Sequence, residues 1–214
     1  MPADRARSGG GGSYPADMSE DTRDLTLPLD LAGHRATTER LVLRPYEFSD
    51  LEAMHEMHAR PEVCRYIPWD LPDRTASRRR LGRYQNERLE RDGDGLTLAA
   101  FEQDSGRLIG DFGLFLPSTE HRYGEIGYIV HPDFQGRGYA VEGARHLLHL
   151  AFDRVGLRRV VARLDARNSA SAGVLRRLGM RHEAHLVENE WFKGQWGDED
   201  QFAILRSEWE QGVR

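Results

Sequence analysis

Apolar positions along this chain recur with two periods, and the switches between them predict its elements. Glu39 to Arg44 reads as a strand that Pro45 ends. Ser49-Asp50-Leu51-Glu52 is a capping box that opens a helix running to about His58. Pro61 to Tyr66 is a second short helix, and an Arg-rich one begins at Asp73 and fades at Asp92-Gly93. Period two returns in Leu96 to Glu102 and in Arg107 to Leu116, joined by the turn Asp104-Ser105-Gly106, and again in Tyr123 to Val130. Val141, Ala144, Leu147, Leu148 and Ala151 then mark one face of a helix from Tyr139 to about Arg154. Arg159 to Asp165 reads as a strand. Asn168 is the N-cap of a helix over Ser169 to Leu178, and Gly179 ends it. His182 to Trp191 and Gln201 to Leu205 read as paired strands around Gly194-Gln195-Trp196-Gly197. Residues 1–33 form a tail and short lead-in, flexible by their Gly, Ser, Asp and Arg content, and residues 34–214 form one domain.

The junction between Val130 and Tyr139 carries the main chemical signal. Pro132 stops the strand. Gln135, Gly136, Arg137 and Gly138 then offer backbone N–H groups that can turn toward one point, with the positive end of a helix behind them. A pyrophosphate suits such a place. A Walker loop would need Lys-Ser or Lys-Thr after its last glycine, whereas Gly143 is followed by Ala144-Arg145. A dinucleotide fingerprint would want Gly or Ala at Val141 and an early strand. The plain alternative is a glycine turn that holds no ligand.

Composition narrows the function classes. The 214 residues are 39% hydrophobic and 30% charged, as in a soluble globular protein, with no apolar run of about 18 residues for a membrane span. No secretory signal is visible at the N-terminus. The single cysteine, Cys64, excludes an intrachain disulfide and fits a reducing cytoplasm. A net charge of −5 argues against a grip on nucleic acid, and Arg78-Arg79-Arg80 reads as a solvated helix face.

The spacing Gln135-x-x-Gly138-x-Ala140 resembles the acetyl-coenzyme A signature of the GNAT acyltransferases. Three further blocks resemble the subfamily of ribosomal-protein N-terminal acetyltransferases (RimJ/RimL-like). They are Thr38-Glu39-Arg40-Leu41-Val42-Leu43-Arg44-Pro45, then Asn168-Ser169-Ala170-Ser171 with Leu178-Gly179-Met180, and Gly194-Gln195-Trp196-Gly197-Asp198 leading to Glu208-Trp209. The likeness spans about Thr38 to Trp209. It implies an α/β (α+β) GNAT fold: a mixed, mostly antiparallel sheet, splayed between its middle strands and flanked by helices. It implies acetyl-CoA as cosubstrate, no metal, and direct transfer to a primary amine in a ternary complex. The acceptor would be a protein N-terminus, a polyamine or an amine-bearing antibiotic. Backbone at Ile129 and Val130 would pair with the pantetheine arm, and Gln135, Gly136, Arg137, Gly138, Tyr139 and Ala140 would take the pyrophosphate. Asn168 and Ser171 would meet the pantetheine or acetyl end, and a homodimer through the C-terminal strands would suit the subfamily. The rival reading is an acyl-CoA-binding module without catalysis.

Glu125 occupies the position where the family often places a general base; the alternative is a strand-face carboxylate held by an arginine. Glu142 reads as ordering its helix. The family's thiolate-protonating tyrosine, seven residues after Asn168, is Leu175 here, which leaves Ser171 as its substitute or as a capping serine only. Cys64 reads as a small buried residue rather than a nucleophile. Metal binding is not expected of the pairs His55/His58, His146/His149 and His182/His185; the last lies on a strand, where its spacing puts the rings on opposite faces. Trp69, Trp191, Phe192 and Trp196 are expected in loops beside the cleft. Glu188, Glu190, Asp198, Glu199 and Asp200 form an acidic rim or a solvated hairpin tip.

Overall fold

The structure, a computed structural model, describes residues 24–29, 31 and 33–212. Most of the tail, residues 1–23, lies outside the described residues. Among the described residues eight strands make one sheet: β1 (Ala36–Thr37), β2 (Leu41–Pro45), β3 (Gly95–Glu102), β4 (Leu108–Ser118), β5 (Tyr123–Val130), β6 (Arg159–Asp165), β7 (Arg181–Phe192) and β8 (Gln195–Leu205). They lie side by side in the order β1-β2-β3-β4-β5-β6-β8-β7. Among the described residues six α-helices flank them: α1 (Leu51–His58), α2 (Pro61–Cys64), α3 (Arg74–Tyr84), α4 (Tyr139–His149), α5 (Ser169–Arg177) and α6 (Arg206–Gly212). The expected mixed sheet with flanking helices is the observed one.

All neighbours are antiparallel except β5 and β6, which run parallel and pair only at Tyr123↔Arg159, Gly124↔Val160 and Glu125↔Val161. Beyond that point β5 stays with β4 and β6 stays with β8, so the sheet forks. A fork leaves strand backbone without sheet partners, and those groups need water or a ligand. One face carries the larger core, with Phe112, Ile126, Leu147, Phe152, Val160 and Leu175 under α4 and α5. The smaller core, Tyr46, Met54, Met57, Leu81, Tyr84, Ala99 and Leu108, sits under α1 and α3 on the other face.

Several boundaries differ from the sequence reading. The capping box is shifted: Asp50 Oδ2 accepts the Glu47 N–H at 2.7 Å, ahead of a 3-10 turn that leads into α1. Helix α3 ends at Tyr84 rather than at Asp92, because Leu89, fully buried, bridges Leu29 of the lead-in. Helix α4 passes after His149 into a π-helical stretch, Leu150–Val155. Lys193 and Gly194, with φ of 48° and 82°, make the hairpin turn, and β8 begins already at Gln195. Trp191 and Trp196 are therefore cross-strand partners on that hairpin, edge to face at 5.4 Å and exposed, and not loop residues. A register shift between His182 and Ala184 overturns the opposite-face reading: both His182 (3.0 Å) and His185 (2.8 Å) reach Asp200 Oδ1. Part of the supposed tail is packed, with Leu29 buried in the larger core and Leu25, Leu27 and Leu31 against it. This lead-in runs antiparallel to α4, with Thr26 N–H on the Val155 carbonyl at 2.9 Å and His34 beside His146.

Candidate active site

A cavity of about 860 Å³ begins at the glycine loop, passes through the fork, and opens on the α1–α3 face of the sheet. Of the residues expected at the cofactor, Ile129, Val130, Gln135, Gly136, Gly138, Tyr139, Ala140, Asn168 and Ser171 line it together. Arg137 does not. Its carbonyl accepts from Arg40 Nη1 at 2.8 Å, and its guanidinium lies over the Phe134 ring.

The loop conformation depends on its glycines. Gly136 (φ 75°) and Gly138 (φ 87°) sit in the left-handed region, and Gly138 is the N-cap of α4. The amides of Gly136, Arg137 and Gly138 have no hydrogen-bond acceptor among the described residues, which suits an anion. Gln135 contributes differently from expectation: its N–H is closed onto the Pro132 carbonyl at 3.2 Å, and its side chain donates to the Val130 carbonyl at 2.9 Å.

Glu142, expected to order its helix, ties the head of α4 to the chain ahead of β2. Oε1 accepts from Thr38 Oγ1 (2.6 Å) and Arg40 N (2.7 Å), and Oε2 from Arg40 Nε (2.8 Å). Burial works to raise this carboxyl, but the bonds from Thr38 and Arg40 outweigh it and hold it below the ordinary range. Arg40 was not singled out by the sequence reading, yet its guanidinium also covers the Tyr139 ring at 4.5 Å and lies nearest to the site a Cβ on Gly138 would fill. Its only sequence signal was its place in the Thr38–Pro45 block.

The phase of the β4–β5 ladder decides which backbone faces the fork. His131 N–H bonds the Ile109 carbonyl at 2.8 Å, and in an antiparallel pair such bonds recur at every second residue. The backbone groups of Ile129 and Gly127 are thereby turned toward β4, and those of Ile126, Tyr128 and Val130 toward the fork. The backbone that faces the fork thus belongs to Tyr128 and Val130 rather than to Ile129.

Glu125 stands in the last parallel pair, at the crotch of the fork. Arg163 Nε is 3.9 Å from its Oε2 and equally far from Glu199 Oε1, beyond hydrogen-bond reach of either. Burial raises the Glu125 carboxyl, with Arg163 opposing and Glu199 adding to the rise. Arg163 and Ile126 line the cavity, and Glu125 stands just behind them.

Across the fork, Asn168 Oδ1 accepts the Ser171 N–H at 3.0 Å, as an N-cap does. Leu175 is buried in the core. The hydroxyl nearest Ser171 comes instead from β5: Tyr128 OH is 2.9 Å from Ser171 Oγ, and burial pushes its pKa up to about 12.

The other mouth of the cavity holds a network the sequence reading missed. Asp111, buried in β4, accepts from the Tyr46 hydroxyl and from His58 Nε2 at 2.6 Å. Arg80 Nη1 donates to His58 Nδ1 at 3.2 Å, which makes Nε2 the protonated ring nitrogen, and its guanidinium stacks on Trp69 at 3.9 Å. Glu87 lies near, raised by burial against its Thr97 hydrogen bonds and Arg83. The overlooked signal was an aspartate within the apolar run Leu108-Ile109-Gly110-Asp111-Phe112. Cys64 is buried, donates to the His58 carbonyl at 3.2 Å, and has its thiol pushed up by burial against Lys193 and Arg80. Among the described residues no group of three or more His, Cys, Asp or Glu gathers to hold a metal, and no helix is long and apolar enough to cross a membrane.

An anion loop leading into an open strand edge, with hydroxyls on one side and carboxylates beyond, suits a long carrier with phosphates at one end and an acyl group at the other. The family model for the acetyltransferase (GNAT) domain matches residues 40–181. The uncharacterized N-acetyltransferase YnaD of Bacillus subtilis (strain 168) is 30% identical over 173 residues, 81% of this chain and 98% of YnaD. A GNAT-family acetyltransferase of Bacillus anthracis superposes with a TM-score of 0.73 at 27% identity, covering 81% of this chain and 99% of that one. Spermidine N-acetyltransferase from Vibrio cholerae, solved with CoA and spermine, superposes with a TM-score of 0.69 at 21% identity, covering 81% and 99%. The chain belongs to the GNAT acetyltransferase family and is an acetyl-CoA-dependent acyltransferase.

Proposed function

We propose that the enzyme moves an acetyl group from acetyl-CoA to a primary amine by direct attack within a ternary complex. The observation that carries this reading is continuity: one cavity joins the glycine loop, the fork and an open carboxylate-lined mouth. The pyrophosphate would lie on the amides from Gly136 to Ala140, and the pantetheine arm would use the backbone of Tyr128 and Val130. Glu125, raised by burial and just behind the cavity wall, would take the amine proton through a water at the crotch of the fork. Transfer through Cys64 is disfavoured, because a buried thiol with a raised pKa yields little thiolate.

The acceptor mouth carries Glu62, Glu87 and Asp111 beside Trp69, Tyr84 and Phe115. Carboxylates with aromatic faces favour a compact cationic amine. The narrower likeness to ribosomal-protein N-terminal acetyltransferases rests on the sequence blocks around Thr38, Asn168 and Gly194. An acceptor screen with labelled acetyl-CoA, spanning peptides of varied N-termini, polyamines and aminoglycosides, decides between them. CoA binding without thiol release in any arm would instead favour a binding module.

A further inference from the structure

The Tyr128 hydroxyl reaches from β5 across the fork to α5, and three features fix it there. Its oxygen is 2.9 Å from Ser171 Oγ and 3.3 Å from the Ser171 carbonyl. Its ring stacks on Phe112, with centroids 6.3 Å apart and planes 26° from parallel. Phe112 is itself fully buried against Gly143, where any Cβ would run into the ring. Tyr128 and Ser171 both line the cavity on the way from the glycine loop to the acceptor mouth.

We infer that Tyr128 is a catalytic residue: with Ser171 it forms a two-hydroxyl clamp for the sulfur that leaves acetyl-CoA. This rests on the acetyl-transfer reading above. In that step the amine nitrogen bonds to the acetyl carbon, the carbon–sulfur bond breaks, and the electron pair stays on sulfur. The amine proton goes to Glu125 or its water. When Tyr128 donates to Ser171 Oγ, the serine O–H remains to turn toward the sulfur, strengthened by the bond it accepts; when Ser171 donates to Tyr128, the tyrosine proton turns from the Ser171 carbonyl to the sulfur. A phenol held near 12 stays protonated while the thiolate forms, so the clamp donates hydrogen bonds and the sulfur takes its proton from solvent. Leu175 offers no hydroxyl, and no rearrangement of α5 is required.

The test reads the thiol of bound CoA. Calorimetry first measures CoA binding to the wild type, Tyr128→Phe and Ser171→Ala, and the ultraviolet absorbance of the thiolate then titrates the bound thiol. Arg163, Asp165 and Arg177 line the same cavity, and their charges would bear on a bound thiol in every variant alike, so the informative quantity is the difference between proteins. The clamp predicts a bound thiol about ten times more ionised at a given pH in the wild type than in Tyr128→Phe, with Ser171→Ala shifted the same way. It also predicts kcat lowered about 10- to 100-fold in Tyr128→Phe, with acetyl-CoA affinity and melting temperature nearly unchanged. Identical thiol titrations in the three proteins, or a loss of kcat that follows a loss of melting temperature, would overturn the clamp while leaving acetyl transfer intact. Absence of CoA binding to the wild type would overturn the proposed function and the clamp together. Should Tyr128→Phe fold poorly, Ser171→Ala carries the comparison alone.

Discussion

Replacing Glu142 by glutamine keeps the side chain's shape and removes the charge that ties the β2 lead-in to the head of α4. Oε1 could still accept from Thr38 and the Arg40 amide, but the new NH2 group would face the Arg40 guanidinium, donor against donor. Two charge-assisted contacts at 2.7–2.8 Å are lost. Such bonds are worth about 1.5–3 kcal/mol each when sheltered. Arg40 is 39% exposed and Glu142 13%, so solvent screening reduces the expected total to about 2 kcal/mol. For a domain of this size that lowers the melting temperature by about 4–8 °C. Because Arg40 also holds the Arg137 carbonyl, acetyl-CoA affinity should fall by about 5- to 30-fold. The pH dependence is the sharper check. The folded Glu142 carboxyl lies below its unfolded value, so its contribution is complete above that value, about 4.3, and is lost as pH falls through the folded one. Urea unfolding of both proteins should show a constant gap from about pH 8 to 6 that closes below about pH 4. A gap of the same size across that whole range would mean that shape, not charge, sets the cost, and the reasoning would fail.

Gly138→Val places a β-branched residue at φ 87° beside Arg40, and calorimetry should show acetyl-CoA binding weakened at least about tenfold in a folded protein; unchanged binding would remove the loop from the cofactor site. Glu125→Gln should lower kcat about 10²- to 10⁴-fold, with a loss that shrinks as pH rises and free amine accumulates; a constant ratio to wild type from about pH 7 to 9.5 would assign the proton to water alone. Asp111→Ala takes the acceptor from the buried Tyr46 hydroxyl and His58 N–H and should cost about 2–4 kcal/mol in urea unfolding; a loss below about 0.5 kcal/mol would show that water from the cavity replaces the carboxylate.

Element types were legible because most segments agree with their surroundings at every level. Asn168 and Gly179 bound α5 as cap chemistry requires, and β5 alternates until Pro132 stops it. The failures fall where tertiary contacts overrule local pattern. Nothing near Leu89 announces that Leu29 will bridge it and cut α3 short, and a bulge invisible in the sequence turns His182 and His185 to one aspartate. At the site, the glycine loop and the Asn168–Ser171 turn could be read locally. Tyr128 and Asp111 could not, because their meaning depends on partners from distant elements, Ser171 in one case and His58 with Tyr46 in the other.

The lead-in chain has a practical consequence for anyone trimming the protein. It enters beside Val155, at the far end of the helical stretch that starts at Gly138, and Gly156 makes room for it: a Cβ there would strike the Asp24 carbonyl. From Thr26 it travels past His146 to Thr38 and Arg40, which grip Glu142 and the Arg137 carbonyl. Mechanically this is a tie-rod laid along the helix, pinned at one end and hooked to the glycine loop at the other. A fragment starting at residue 34, the boundary that composition alone recommends, would keep the hook and discard the pin. Its signature would be a helix that frays from Val155 in hydrogen exchange, at the end opposite the glycine loop.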